Sequence, residues 1–202
     1  MTLIQTTLSC QGITPLLMHN VRMVDPLDPI KKQLDERTSL VDKSDEIHEE
    51  ISRLEFIGGI YFAEGVGPYL PSLMLKAAIT KAGGMVRLGT KVTRGVLIEQ
   101  PQMRLEYEGP RDLLELFADK RFVHRAAAKT GGRGGGRVMR TRPVFTEWSV
   151  TASIILDTAQ LGYDQLIKLT EEAGRYHGVG DWRPEHGPFT VTATDPVEVM
   201  AD

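Results

Sequence analysis

The chain has 202 residues, 41% of them hydrophobic and 25% charged, with a formal net charge of -3. That supplies the core of one domain, with room for large insertions, and argues against a uniformly basic nucleic-acid coat while leaving local patches open. The single cysteine, Cys10, excludes an intrachain disulfide and a cysteine-built zinc site, which fits a reducing compartment.

Residues 3–10 alternate, with Ile4, Leu8 and Cys10 on one side and Gln5, Thr7 and Ser9 on the other, and this predicts a strand. The N-terminus lacks the basic start and long apolar run of a signal peptide. No apolar run is long enough for a transmembrane helix, so the expectation is a soluble cytoplasmic protein with no membrane partner. "DPLDP" at 25–29 is a proline-punctuated loop, and Pro29 opens a short helix to about Arg37. Ser44 is placed to cap a second helix with Ile47, Ile51 and Leu54 on one stripe, ended by Gly58-Gly59.

"YLPSLMLKAAITKAGG" predicts another helix, capped by Ser72 and stopped at Gly83. "KVTRGVLIEQ" and "QMRLEY" read as strands around Pro101, and "GPRDLLELFA" as a short helix. The clearest strand is 147–157, with Trp148, Val150, Ala152, Ile154 and Leu156 sharing a face. A helix over 163–176 turns Tyr163, Leu166, Ile167, Thr170 and Ala173 inward. A glycine-rich loop and a closing strand, "FTVTAT", with Phe189, Val191 and Ala193 inward, complete the chain.

This order contains two strand–helix–strand units. It predicts an α+β fold, a ferredoxin-like or RNA-recognition-motif-like split βαβ with one antiparallel sheet and its helices on one face. Residues 16–60, a helical insertion, and 108–143, a basic glycine-rich insertion, are too long for plain connections within a single domain over 1–202.

Charge is unevenly spread. From Asp25 to Glu55 there are ten acids and five bases; from Lys120 to Arg142 there are eight bases and no acid. The basic residues are Lys120, Arg121, Arg125, Lys129, Arg133, Arg137, Arg140 and Arg142. Such a run suits phosphates, each contact releasing counterions, with glycines letting the backbone approach. Residues 129–142 are expected to be mobile in the free protein and to become ordered between phosphates and an adjacent copy; a solvated glycine tether is the competing reading. "GGRGGGR" lacks the Gly-Lys-Ser/Thr ending of a P-loop.

"HGVGDWRPEHGPFTVTA" follows a helix and opens the last strand, with Gly178 and Gly180 followed by Gly187. Together with "GITPLLMHN" and "YLPSLMLKAAITKA", it resembles the RAMP superfamily, in particular the RNA-binding backbone subunits of CRISPR effector complexes; the short chain suits a compact relative, including one carried by a phage. Family loops commonly have a glycine where this sequence has Pro188. The resemblance implies a ferredoxin-like core, single-stranded RNA binding and head-to-tail stacking of copies into a helical filament. It also implies an inserted hairpin, the thumb, for which residues 120–143 are in the right place.

Within that frame Trp182 and Arg183 are candidates for base stacking and phosphate contact, against a plain glycine turn in which Asp181 pairs with Arg183. His19, Asn20 and Arg22 follow the first strand and would lie along a strand of RNA, against a hydrogen-bonded loop. The acidic helix over 45–57 is a solvated face or a receiver for a neighbour's basic segment.

Asp25 and Asp28 raise ribonuclease chemistry, since some family members cut RNA with an aspartate after the first strand. That needs a metal or an in-line 2′-hydroxyl, and the flanking prolines make a structural turn sufficient. His48-Glu49 has Ser52 where a second histidine ligand would stand, and His177 and His186 lack a third ligand nearby. No metal site or cofactor is expected.

The expected function is thus non-catalytic binding of single-stranded RNA, or single-stranded DNA, with self-assembly. The alternatives are an interaction protein that docks onto or mimics a subunit of a larger ribonucleoprotein, and a metal-dependent ribonuclease using Asp25 or Asp28.

Overall fold

The computed structural model describes residues 2–129 and 136–199. In chain order the elements are β1 (Leu3–Gly12), β2 (Leu16–Leu17), α1 (Pro29–Thr38), α2 (Asp45–Gly59), β3 (Phe62–Ala63), β4 (Gly67–Pro71), α3 (Ser72–Met85), α4 (Gly89–Gly95), β5 (Val96–Ile98), β6 (Gln102–Arg104), α5 (Leu113–Ala118), β7 (Val123–Lys129), β8 (Arg137–Phe145), β9 (Ser149–Asp157), α6 (Tyr163–Tyr176), β10 (Phe189–Ala193) and β11 (Val197–Val199). They divide into two compact units, one formed by residues 1–16, 68–108 and 146–202, the other by 17–67 and 109–145.

The first unit carries an antiparallel sheet in the order β10-β1-β9-β5, with β11 also on β1. This is the strand order of the ferredoxin-like split βαβ, so the fold class is α+β as the pattern predicts. In β1, Ile4, Thr6, Leu8 and Cys10 are buried, and in β9 Val150, Ala152, Ile154 and Leu156 are buried, because period-2 side chains divide between the two faces. α6 packs on β10 and α3, and α3 on β5. Trp148 fills the core, its indole N–H donating to the Thr14 carbonyl at 2.9 Å. A Cβ at Gly12 would lie 2.2 Å from the indole nitrogen, so only glycine allows β1 to pass that ring.

Five expectations are corrected here. Residues 91–95 belong to helix α4, and only 96–98 to a strand; Val92 is buried, and its methyl would stand 3.1 Å from a Cβ on Gly83. Gly83 and Gly84 lie inside α3 rather than stopping it, and Ser72 is its first residue, with Pro71 at the cap. On α6 the buried stripe runs Leu166, Leu169, Thr170, Ala173 and Gly174, with Ile167 only half-buried; a Cβ at Gly174 would meet the Phe189 carbonyl oxygen at 2.2 Å. Phe189 is buried, but Val191 is half-buried and Ala193 exposed, and β11 extends the edge beyond the expected last strand.

The second unit holds α1, α2, α5 and the β7–β8 hairpin. Asp28 caps α1, its carboxylate accepting from the Ile30 and Lys31 amides at 2.8 and 3.2 Å, as Pro29 at the first helical position favours. Ser44 stands at the N-cap of α2 without a side-chain cap hydrogen bond. α2 ends at Gly59 with Ile60 at its cap, as the Gly58-Gly59 pair predicts, and a Cβ at Gly58 would lie 2.1 Å from the Met23 sulfur, so that glycine also lets the helix meet Met23. Met23, Leu34 and Leu54 form a small core with Ile30 and Ile51 packed against it. Phe56 meets Phe117, and Phe122 meets Phe145, at 5.4 and 5.6 Å between ring centres, favourable tilted contacts.

Candidate nucleic-acid interface

The basic segment folds back on itself as a hairpin. β7 pairs antiparallel with β8 from Val123 opposite Pro143 to Lys129 opposite Arg137. Residues 137–142 are therefore in a paired strand, as is Lys129; Arg133 lies outside the described residues. Directly opposed residues put their side chains on the same face, so Lys129 and Arg137 present like charges to each other, with Arg125 on the same face further along β7. All three are exposed and have no acidic partner among the described residues. Like charges directly opposite are destabilising unless an anion lies between them.

Near Pro143 the other edge of β8 is paired with the β2 segment, the Met18 N–H donating to the Pro143 carbonyl at 3.0 Å; further along, at Thr141, it is held by α2. Glu55 is 6% exposed. One of its carboxylate oxygens accepts from the Arg140 guanidinium at 2.6 Å and the other from the Thr141 backbone N–H at 2.7 Å. The hydroxyls of Ser52 and Thr141 share a hydrogen bond at 2.8 Å. This brace occupies a strand edge that would otherwise leave polar backbone unpaired. It also places acid and base together within one chain, where the sequence suggested a meeting between copies.

On one side of the brace is a cleft of about 330 Å³ into which His19, Lys31, Lys129, Arg140 and Arg142 converge, with Asp35 and Glu55 as its carboxylates. Lys31 pairs with Asp35 one turn along α1. On the other side is a groove of about 700 Å³, lined among others by His48, Ile51, Arg125, Val138, Met139 and Arg140.

The remaining candidates in this unit are engaged structurally. Asn20 accepts from the Arg22 amide and donates to the Ile60 carbonyl, both at 3.1 Å. Arg22 reaches Asp28 at 2.8 Å. Burial pushes the Asp28 carboxyl up, but the hydrogen bonds from Arg22, Lys31 and Ile30 outweigh it and leave the group below the usual carboxylate range. Asp25 accepts from the Leu27 amide at 2.9 Å. Arg121 is paired with Asp119 at 2.6 Å, and Lys120 lies over the Phe117 ring at 4.9 Å.

In the first unit the glycine-rich loop closes on itself and on the segment after β1. Val179 donates to the Gly187 carbonyl, and Gly187 donates to the Pro15 carbonyl, both at 3.0 Å. A Cβ at Gly187 would stand 1.7 Å from the Val179 carbonyl oxygen, and one at Gly178 2.9 Å from the Gly187 backbone. Gly178, Gly180 and Gly187 all have positive φ, and so does Trp182, so this loop demands left-handed backbone. The half-buried Trp182 and exposed Arg183 line a cleft of about 320 Å³ with Lys81, Tyr176, His177 and Asp181. Burial first, then the charges of Lys81 and Arg183, hold the His177 imidazole below its ordinary value against an opposing pull from Glu172.

Lys31 and Lys81 were missed as site residues because each is an ordinary exposed-side lysine of a helix; no spacing signals which loop it will meet. The open face of the sheet is polar, with Gln5 donating to Glu99 at 2.7 Å and Ser153 also on that carboxylate. The outward alternates Gln5, Thr7 and Ser9 of β1 and Ser149, Thr151 and Ser153 of β9 carry no aromatic ring, so they form no stacking platform.

No family model matches the chain, and no curated protein matches it. Among solved structures it is similar to the crystal structure of Cmr6 from Pyrococcus furiosus, at 10% sequence identity and a TM-score of 0.43, over 94% of this chain and 99% of that one. Among the described residues no group of three or more His, Cys, Asp or Glu side chains is placed to hold a metal ion. No described helix is long and apolar enough to cross a membrane.

Proposed function

We propose that this protein is a RAMP-like, non-catalytic binder of single-stranded nucleic acid, of RNA ahead of DNA. The observation that carries the reading is the placing of Lys129 directly opposite Arg137, beside a cleft where Lys31, Arg140, Arg142 and His19 converge from distant parts of the chain. Opposed cations beside a polar cleft match the repeated negative charge of a phosphate backbone and gain affinity by counterion release. Trp182 and Tyr176, beside Lys81 and Arg183, supply rings and charge for a second contact of the kind that stacks bases without sequence preference.

Copies assemble head-to-tail along the strand, the hairpin of one copy meeting a different surface of the next, which leaves an open helical contact. The RNA is bound and not cut: Asp28 is committed to Arg22 and the α1 cap, and Asp25 to its own turn. A second reading, docking on a subunit of a larger ribonucleoprotein, is favoured by the exposed run Val21, Val24 and Leu27, which are 69%, 70% and 74% exposed.

The test is fluorescence anisotropy of oligouridylate and oligothymidylate over a potassium chloride series, with negative-stain imaging of the complexes. Binding with a steep salt slope is expected, and Lys129→Ala with Arg137→Ala should flatten it by about 0.7 per removed phosphate contact. Absence of binding by the wild-type protein overturns the reading in favour of docking. Magnesium-dependent cutting of labelled RNA that disappears in Asp28→Ala or Asp25→Ala overturns its non-catalytic part.

A further inference from the structure

Arg140 differs from Arg125, Lys129 and Arg137 in that a buried carboxylate already holds it. The Glu55 side chain is 6% exposed, the Arg140 side chain 42%. The carboxylate is thus inside the protein wall while the guanidinium still faces water, in the lining of both the cleft and the groove. We propose that Glu55 is a built-in stand-in for a phosphate: it neutralises Arg140 in the free protein and, by competing with the nucleic-acid backbone for that guanidinium, sets the affinity of the cleft. This rests on the nucleic-acid reading above.

Bracing alone does not require the charge. The strand edge is held by the Thr141 N–H on one oxygen of Glu55 and by the Ser52–Thr141 hydroxyl contact. A neutral amide oxygen at position 55 could accept the same N–H. What only a carboxylate does is supply the counter-charge 2.6 Å from Arg140. A guanidinium presents five N–H donors in a fixed fork, so a phosphate arriving from the solvent side can take those directed away from Glu55. An arginine already neutralised by an internal anion neutralises less of a phosphate's charge and so displaces fewer of the counterions condensed on the nucleic acid, which suppresses its contribution to binding and to the salt slope. Arg140 is then the contact whose strength the protein restrains, while Lys129 and Arg137 act without restraint.

The experiment is a cycle of wild type, Glu55→Gln, Arg140→Ala and the double variant, each titrated with fluorescent oligouridylate over a salt series. Glu55→Gln should bind roughly tenfold tighter at low salt, with a slope steeper by about 0.7. The gain should vanish in the Arg140→Ala background, because the coupling runs through that one side chain. Circular dichroism and a melting curve establish that Glu55→Gln is folded. If it is not, nitrogen NMR of the Arg140 guanidinium in wild-type protein replaces it, and a resonance that moves on adding oligouridylate is expected. Wild-type protein that fails to bind overturns the nucleic-acid reading itself. Binding that Glu55→Gln leaves unchanged, a gain that survives without Arg140, or an unmoved Arg140 resonance in the bound state overturns the stand-in role and leaves the wider reading in place.

Discussion

Replacing Gly187 by alanine tests whether the glycine-rich loop is a close-packed device or a loose turn. Gly187 has φ of 81°, and the new methyl would stand 1.7 Å from the Val179 carbonyl oxygen and 2.8 Å from its carbon. Both are backbone atoms, so no side chain can swing aside. An L-residue in the left-handed region costs about 1–2 kcal/mol. Relieving the overlap must stretch the two 3.0 Å hydrogen bonds Gly187 makes, to Val179 and to Pro15, each worth about 1 kcal/mol. The expected loss is therefore about 3–4 kcal/mol, lowering a urea midpoint by roughly 1–2 M for a slope of about 2–3 kcal/mol per M. The two tryptophans of the chain, Trp148 and Trp182, both lie in the unit that contains Gly187, so their fluorescence reports its unfolding. Gly84→Ala is the internal contrast: a Cβ there meets nothing within 4 Å and the residue is helical, so the change should stabilise by up to about 1 kcal/mol. A Gly187→Ala protein that unfolds at the wild-type midpoint would refute the close-packing argument.

Two further outcomes concern protons. Asp28 has a folded value below the ordinary carboxylate one, so its contribution to stability is present above about pH 4 and is lost as pH falls through the lowered folded value. Asp28→Asn should flatten that acid limb in pH-dependent melting curves and lower the plateau at about pH 6–8, where the ionised group's contribution is fully present; an identical limb would mean the Arg22 and α1-cap contacts carry no proton-linked stability. His177 also titrates low: its contribution is present above the ordinary imidazole value of about 6.5 and lost as pH falls through the folded one. Its ring-proton NMR midpoint should lie below that value and rise in Lys81→Ala, and a midpoint that ignores Lys81 would show that this charge does not reach the ring.

The sequence by itself determined what repeats with a short period or depends on adjacent residues. The alternation of 3–10 and 149–157 can satisfy a half-buried strand only one way up, and those faces are the buried ones. Asp28-Pro29 carries its own helix start. The order of these elements, with the α6 pattern between two strands, is enough to read the split βαβ core. Glycine was less legible, because the same residue can end a helix or let two elements touch. Gly83 does the second, against the α4 turn, and Gly58 does both, standing at the end of α2 while admitting Met23, and nothing local distinguishes the two uses.

Tertiary structure alone decided which charges are available. Counting showed eight bases and no acid between Lys120 and Arg142, but a count has no partners in it. Glu55 is 85 residues away from Arg140 in the chain and 2.6 Å away in space, while Lys129 and Arg137 have only each other across the hairpin. Lys31 and His19 reach the same cleft from α1 and the segment after β2. Register and helix packing fix those distances, and because Coulomb energies fall with distance and grow with burial, only the folded chain says which arginine is paired with a carboxylate and which cations face solvent.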